Sequence, residues 1–262
     1  MSLTTIILAA GKSSRMLSLK SKLLFKISGD YIINYVYKAA STIKSKKIVC
    51  VLNNSSQQLQ DFIQKNKISS VEQKKPSGTA DAVNAALKSL PVNKKNNVLI
   101  LCGDVPFIEP ATLRKIISKL DNSDMCIGTY VQENPIGYGR IIRNNKQIIG
   151  IIEEKDATEK IKKINEINTG IICINEGVLR KFIGKINNKN IQKEYYLTDI
   201  VKLLSDNKYR VSSYTIKNGL ETMGINSKKD LVEIERKLLI KKAKALLNKG
   251  ALIRDVLRTD IK

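Results

Sequence analysis

The sequence predicts an α/β protein built on a mostly parallel sheet flanked by helices. Two observations carry this reading. Short apolar segments at 4–9, 47–53 and 97–102 alternate with segments of helical spacing at 31–42, 56–65 and 79–88, as in Ile33, Val36, Tyr37 and Ala40. Alternation of this kind favours parallel strands joined by helical crossovers. The first strand also ends in a turn of small residues, Ala9-Ala10-Gly11, and the third ends in Gly103-Asp104-Val105-Pro106. Sites in parallel sheets lie at the carboxyl ends of strands, where both turns fall.

Further along, residues 110–119 read as another helix, and short strands dominate 125–175, at 125–131, 139–143, 147–153 and 169–174. This stretch is expected to form a mixed sheet edge and a separate lobe. Residues 228–247 carry a lysine-rich amphipathic helix with Leu231, Ile234, Leu238 and Leu239 on one side. No internal repeat or long linker interrupts 1–226. The expected organisation is one domain over 1–227 and a helical arm over 228–262.

Composition narrows the chemistry. The 262 residues include 42% apolar side chains, enough for a substantial core. No apolar run has the length to cross a membrane, and the N-terminus has no signal-peptide pattern, so a cytoplasmic protein is expected. The four cysteines, Cys50, Cys102, Cys126 and Cys173, lie far apart in strand-like runs, which suits buried reduced thiols rather than a metal cluster. There is no histidine. Catalysis by Ser-His or Cys-His groups is thereby excluded, along with histidine-ligated zinc. The net charge of +22, from 46 basic and 24 acidic residues, is spread along the chain without a basic motif interleaved with aromatics. A solvated lysine-rich surface is favoured over a nucleic-acid face.

The first turn carries a chemical signal. The run Ile6-Ile7-Leu8-Ala9-Ala10-Gly11-Lys12-Ser13-Ser14-Arg15-Met16 is followed by Lys22. Backbone amides released at a glycine turn make an anion cradle, and Ala9, Ala10 and Gly11 permit close approach of a phosphate. Arg15 and Lys22 supply countercharge. The spacing matches neither the GxxxxGK[ST] nor the GxGxxG loop. An ordinary strand-to-helix turn is the alternative. Asp104, at a strand end beside this turn, can hold Mg²⁺ against nucleotide phosphates, or can simply bond its own backbone as a turn residue.

The first run resembles the opening L-A-A-G-x-G-T-R-M of sugar nucleotidyltransferases, which is followed by a lysine. Further segments extend the likeness: Gln73-Lys74-Lys75-Pro76-Ser77-Gly78-Thr79-Ala80, Leu101 to Pro106, Asn134 to Ile141 with Ile152 to Ala157, Glu166 to Gly170, and Glu194 to Asp199. In this order and spacing they resemble the uridyltransferase domain of bifunctional bacterial enzymes that make UDP-N-acetylglucosamine. The resemblance covers residues 3–256 and implies a Rossmann-like nucleotidyltransferase fold.

The resemblance also implies roles. Leu8, Ala9, Ala10 and Gly11 would line uridine and phosphates, with Gly103 nearby. Gln73 and Gly78 would read the uracil edge beside Thr79. Arg15 and Lys22 would hold the triphosphate, and Asp104 and Asn226 would bind Mg²⁺. Gly139, Glu153 and Asn168 would contact the amino sugar, with Tyr195, Tyr196 and Thr198 close by. Taken singly, Glu153 could equally be a surface strand residue, Asn168 a turn residue and Tyr196 a core aromatic. The implied partners are UTP and N-acetylglucosamine-1-phosphate, with no nucleic acid and no membrane.

The chain also departs from the family pattern. Ser13-Ser14 replaces Gly-Thr before the arginine, Ser21 replaces proline before the lysine, Cys102 replaces an aromatic before Gly103-Asp104, and Asp81 stands where many relatives carry histidine. The hexapeptide repeats of the bifunctional enzymes are absent from the sequence. The resemblance therefore leads us to expect no acetyltransferase activity, a monomer or weak oligomer, and an arm at 228–262 that is the remnant of a linker. Arg15 and Lys22 are both expected to be solvent-accessible in the empty site. Two other functions stay open: transfer of another nucleotide to another sugar-1-phosphate, and a basic RNA-binding or regulatory protein on an inherited scaffold.

Overall fold

The computed structural model describes residues 2–11, 14–18, 20–53 and 56–259. Lys12 and Ser13 of the first turn lie outside the described residues. The chain opens with β1 (Leu3–Leu8), a two-residue ribbon of β2 (Lys26–Ile27) and β3 (Asp30–Tyr31), and α1 (Ile32–Thr42). Next come β4 (Lys47–Leu52), α2 (Gln57–Lys65), β5 (Ser69–Glu72), α3 (Thr79–Lys88), β6 (Asn97–Cys102) and α4 (Pro110–Ser118). The second half holds β7 (Met125–Val131), β8 (Arg140–Asn144), β9 (Gln147–Ile152), α5 (Glu159–Lys162) and β10 (Glu166–Asn175). It closes with α6 (Glu176–Ile183), α7 (Asp199–Asp206), β11 (Val211–Thr215) and α8 (Lys228–Leu247).

The main sheet runs β11-β7-β10-β6-β1-β4-β5, with β8 pairing β10 and β9 pairing β8. Strands β6, β1, β4 and β5 are mutually parallel. β10 lies antiparallel between β6 and β7. The sheet is mixed, with the parallel half that the alternation predicts, and the fold is the Rossmann-like one that the resemblance implies.

Alternating side chains of the central strands feed two apolar layers, as a sheet covered on both faces requires. Ile7, Cys50, Leu99 and Cys173 face a layer with Ile33 and Val36 of α1, Leu113 of α4 and Ile234 of α8. Ile6, Val51, Ile100 and Ile172 face the opposite layer, with Val83 of α3, Phe182 of α6 and Ile200 of α7. Hence the apolar runs at 6–7, 49–52 and 98–101 are buried on both faces of the sheet.

Helix α8 packs on the first layer through buried Ile234, with Leu231 and Leu238 against it. Its N-terminus is fixed by a capping box: Ser227 accepts from the Asp230 amide, and the Asp230 carboxylate accepts from the Ser227 amide.

Candidate active site

The site is assembled at the carboxyl edge of the parallel strands. The Gly103 amide donates to the Leu8 carbonyl at 2.9 Å, and a Cβ on Gly103 would lie 3.0 Å from that oxygen. A glycine therefore lets the two strand ends close together and presents Asp104 beside the end of β1. The Ala9 amide donates to Val51 at 2.9 Å, continuing the β1–β4 ladder, and the Ala10 carbonyl accepts from Asn53. The Ala9 N–H is thus engaged in the sheet, and any amides open to an anion begin after it. Gly11 is exposed, with open space where a Cβ would stand.

Three predicted residues meet at one point. The Lys22 ammonium donates to Asp104 Oδ2 and, at 2.8 Å, to Asn226 Oδ1. Lys22 is buried by this clasp, at 9% exposure, contrary to the expected solvent access. Its two carboxamide and carboxylate partners satisfy the charge that burial takes out of water. Asn226 is held in turn by the first turn of α8. Its amide donates to Asp230 Oδ2 at 2.9 Å, and the neighbouring Ile225 amide donates to the Asp104 carbonyl at 2.9 Å. Arg15 is exposed and makes no hydrogen bond or ion pair among the described residues.

Asp104 and Asn226 thus direct two hard oxygen atoms at a single cation, here the ammonium. That donor chemistry suits Mg²⁺, which usually takes one or two protein oxygens and completes its shell from water and phosphates. Among the described residues, no group of three or more His, Cys, Asp or Glu side chains forms a self-sufficient metal cage.

A cavity of about 250 Å³ opens beside the clasp. Of the predicted residues, Leu8, Thr79, Asp104, Gly139, Glu153, Asn168, Thr198 and Asn226 line it. Its far wall is built from β8, β9 and β10. Glu153 follows β9 directly, and its Oε1 accepts from the Thr198 hydroxyl at 2.8 Å. A Cβ on Gly139 would stand 3.2 Å from Glu153 Oε2, so the glycine lets the carboxylate approach the backbone. The Asn168 amide donates to the Gly139 carbonyl at 2.9 Å, and Asn168 Oδ1 accepts from Gly170 at 3.0 Å. The register of β10 against β7 shifts between Asn168 and Ile172. Such bulges re-aim side chains, here toward the cavity. Burial raises the Glu153 carboxyl above its ordinary range; the Thr198 hydrogen bond opposes this, while Asp199 and Asp156 reinforce it.

Gln73 and Gly78, the pair expected to read the base, do not line the cavity; they bond to each other after β5. Gln73 Nε2 donates to the Gly78 carbonyl at 3.0 Å and to Asp81 Oδ2 at 2.8 Å. Both partners can only accept, so the amide orientation is fixed with Oε1 turned away from them. Asp81, noted only as a departure from the family, is thereby tied to Gln73. Gly78 has φ +127°, and any Cβ there would lie 2.4 Å from the Tyr195 carbonyl. The segment is stitched to that tyrosine by Tyr195 N to Ser77 O and Ala80 N to Tyr195 O, and the Thr79 hydroxyl accepts from Leu197. Tyr196 is buried, at 8% exposure, and does not line the cavity. The cavity also includes residues the sequence left without a role, Thr222 and Gly224 among them. Thr222 ends a short 3-10 turn and Gly224 follows it; neither belongs to a periodic pattern, and only adjacency to Asn226 marks them.

Residues 5–164 match the MobA-like NTP transferase domain. The chain belongs to the MobA-like NTP transferase family. Among curated relatives of this nucleotidyltransferase, the bifunctional protein GlmU of Vesicomyosocius okutanii subsp. Calyptogena okutanii is 39% identical over 256 residues, which is 97% of this chain and 56% of that protein. The GlmU of Acinetobacter baylyi is 36% identical over 262 residues, 100% of this chain and 57% of that protein. The chain therefore spans a little over half the length of these relatives. A solved UDP-glucose pyrophosphorylase from Acinetobacter baumanii has the same fold, with a TM-score of 0.69 at 16% identity over 96% of this chain and 100% of that one.

Proposed function

We propose that this MobA-like NTP transferase moves UMP from UTP to N-acetylglucosamine-1-phosphate, releasing pyrophosphate. The observation that carries the reading is the convergence of Lys22, Asp104 and Asn226 across one cavity from Glu153, Asn168 and Thr198. The first group suits polyphosphate and a cation, and the second suits a neutral polyhydroxylated ring. The likeness to GlmU over nearly the whole chain supports the choice of uridine and amino sugar. In this reading residues 1–227 are the catalytic domain and 228–262 a helical arm.

The reaction needs no general base, since the sugar-phosphate oxygen is already anionic at neutral pH. It attacks the α-phosphorus; the new O–P bond forms as the bond to the β-phosphate oxygen breaks, and pyrophosphate leaves with the electron pair. The barrier is charge repulsion and alignment, so preorganised cations and fixed hydrogen-bond partners supply the catalysis. Lys22 and Arg15 hold the triphosphate and neutralise the leaving pyrophosphate. As phosphates enter, the Lys22 ammonium turns to their oxygens and releases those of Asp104 and Asn226. Bound there, Mg²⁺ would supply Lewis-acid neutralisation of the reacting phosphates. Gln73 and Gly78 read the base edge, and Glu153, Asn168, Thr198 and the Gly139 backbone hold the sugar.

A pyrophosphate-release assay with UTP and N-acetylglucosamine-1-phosphate tests this directly. Turnover should require a divalent cation, and glucose-1-phosphate should be a poor substrate because the amide partners are then left unpaired. Full turnover in excess chelator, or equal efficiency with both sugars, would overturn the corresponding part of the reading.

A further inference from the structure

Arg140 is the largest fully buried side chain among the described residues, at 1% exposure, and it lies outside the roles assigned above. A buried guanidinium carries a heavy desolvation cost unless it is well partnered. Its Nη2 pairs with Glu154 Oε2 at 2.7 Å and reaches the Lys162 carbonyl at 3.4 Å, while Nη1 donates to the Tyr138 carbonyl. Its Nε is buried and meets no acceptor among the described residues. Burial with one donor unsatisfied is a poor arrangement for stability alone.

The backbone at the same position is equally central. Arg140 pairs with Ile152 of β9 and with Ile167 of β10. Each of the three sugar-side groups is the chain neighbour of a residue in that cross-section: Gly139 precedes Arg140, Glu153 follows Ile152, and Asn168 follows Ile167. The side chain then ties the loop before Gly139, through the Tyr138 carbonyl, to the segment after Glu153, through the Glu154 carboxylate. Arg143, three residues on, bonds Glu166 of β10 twice at 2.7 Å, together with the Lys146 carbonyl and Ser213, and reaches neither the Tyr138 carbonyl nor Glu154.

We propose that Arg140 is a positioning residue for the sugar-phosphate acceptor, fixing the separation between the Gly139 backbone and the Glu153 carboxylate. It touches no substrate itself. The inference rests on the sugar-side reading above. A misplacement of about 1 Å at such groups costs on the order of a hundredfold in rate. A loosened wall should therefore raise the KM for the sugar phosphate about tenfold or more and lower kcat, while the KM for the nucleotide, bound by the other half, changes less than about twofold.

The test is steady-state kinetics on Glu154→Ala, Arg140→Lys and the charge-neutral double variant Arg140→Met/Glu154→Gln, each checked by thermal melting. Glu154 is partly exposed, so its variant keeps the fold accessible even if the arginine variants do not fold. The expected result is a sugar-phosphate KM raised selectively in Glu154→Ala and more in the double variant, with partial rescue in Arg140→Lys. A folded Glu154→Ala with both KM values unchanged, or a loss shared equally by both substrates, would overturn the proposal. The acceptor assayed is whichever sugar-1-phosphate the wild-type protein uses. If that acceptor is not N-acetylglucosamine-1-phosphate, the substrate reading fails, and a selective KM effect on the acceptor found still upholds the role of Arg140.

Discussion

Asp104 sits on the turn after the parallel strand β6 and Lys22 opens a short 3-10 turn before β2, whereas Asn168 lies within a strand and Glu153 directly after one. The first group is mutually clasped, cation on anion, and Arg15 stands exposed without a partner among the described residues. The second group is locked by backbone pairing, a bulge, and the bond from Thr198. Polyphosphate changes its charge distribution during transfer, and a set of long cationic side chains can follow it. A sugar ring keeps its shape and demands acceptors at fixed spacing. In the proposed reading, the two walls of the cavity therefore solve positioning with different materials, long cationic side chains on one side and ladder geometry on the other.

The largest effect should come from removing mobile charge. Lys22→Met should lower turnover by about 10²–10³-fold, the scale of losing one electrostatic stabiliser. It also leaves Asp104 and Asn226 without their shared ammonium, so the nucleotide-free variant should bind Mn²⁺ more tightly than the wild type. Isothermal titration and pyrophosphate release read the two consequences. A variant with near-normal rate would break the comparison at its cationic side.

A smaller, pH-dependent effect should mark the fixed wall. Because burial raises the Glu153 carboxyl in the folded protein, the native state holds that proton more tightly than the unfolded chain. Glu153 therefore favours folding below the ordinary carboxylate value of about 4.3, and this contribution is lost as pH rises through the folded value. Glu153→Gln should accordingly melt higher than wild type at neutral pH, with the advantage fading toward about pH 4. Its sugar-phosphate KM should rise about tenfold and lose the component of pH dependence that the wild type shows beyond the acceptor's own phosphate titration. Identical pH profiles for the two proteins would show that Glu153 does not titrate against the acceptor.

The smallest effect should be on thiol chemistry. Burial pushes the thiols of Cys50 and Cys102 up to about 12 and that of Cys126 to about 11, and raises Cys173 further. Native protein should resist iodoacetamide at neutral pH. In rising urea, Cys50 of β4 reports opening of the parallel half, and Cys126 and Cys173 report the strands behind the sugar wall. Cys102 is half-buried and lines the cavity, so it should be the first to label, and rapid labelling of Cys50, Cys126 or Cys173 in native protein would contradict their burial.

The parallel half was the more legible in sequence. Doubly covered strands leave unbroken apolar runs, and the expected boundaries of β1, β4, β6 and α3 fall within one residue of those observed. Edge strands carry no such mark. Ser69–Glu72 and Val211–Thr215 are polar and half-wet, and neither was expected as a strand. Helices α6 and α7 are eight residues each, too short for a periodic pattern to stand out. At the site, the motifs located the residues that line the cavity but could not show their pairings. The burial of Lys22 and the inward turn of Tyr196 depend on contacts between distant segments, and the tie from Asp81 to Gln73 depends on the turn that joins β5 to α3. Arg140 lay inside a recognised motif, yet only the strand pairing reveals that three walls meet there.

Asn226 depends on Asp230, a residue in the first turn of a helix otherwise occupied with packing on the sheet. A ribosome delivers Leu8, Lys22 and Asp104 long before it delivers this carboxylate. The sheet can begin to condense on the way out, but the Lys22 clasp stays one partner short until the chain has been made past residue 230. In the proposed reading, nascent chains halted just before α8 should therefore be folded in their parallel half yet inert.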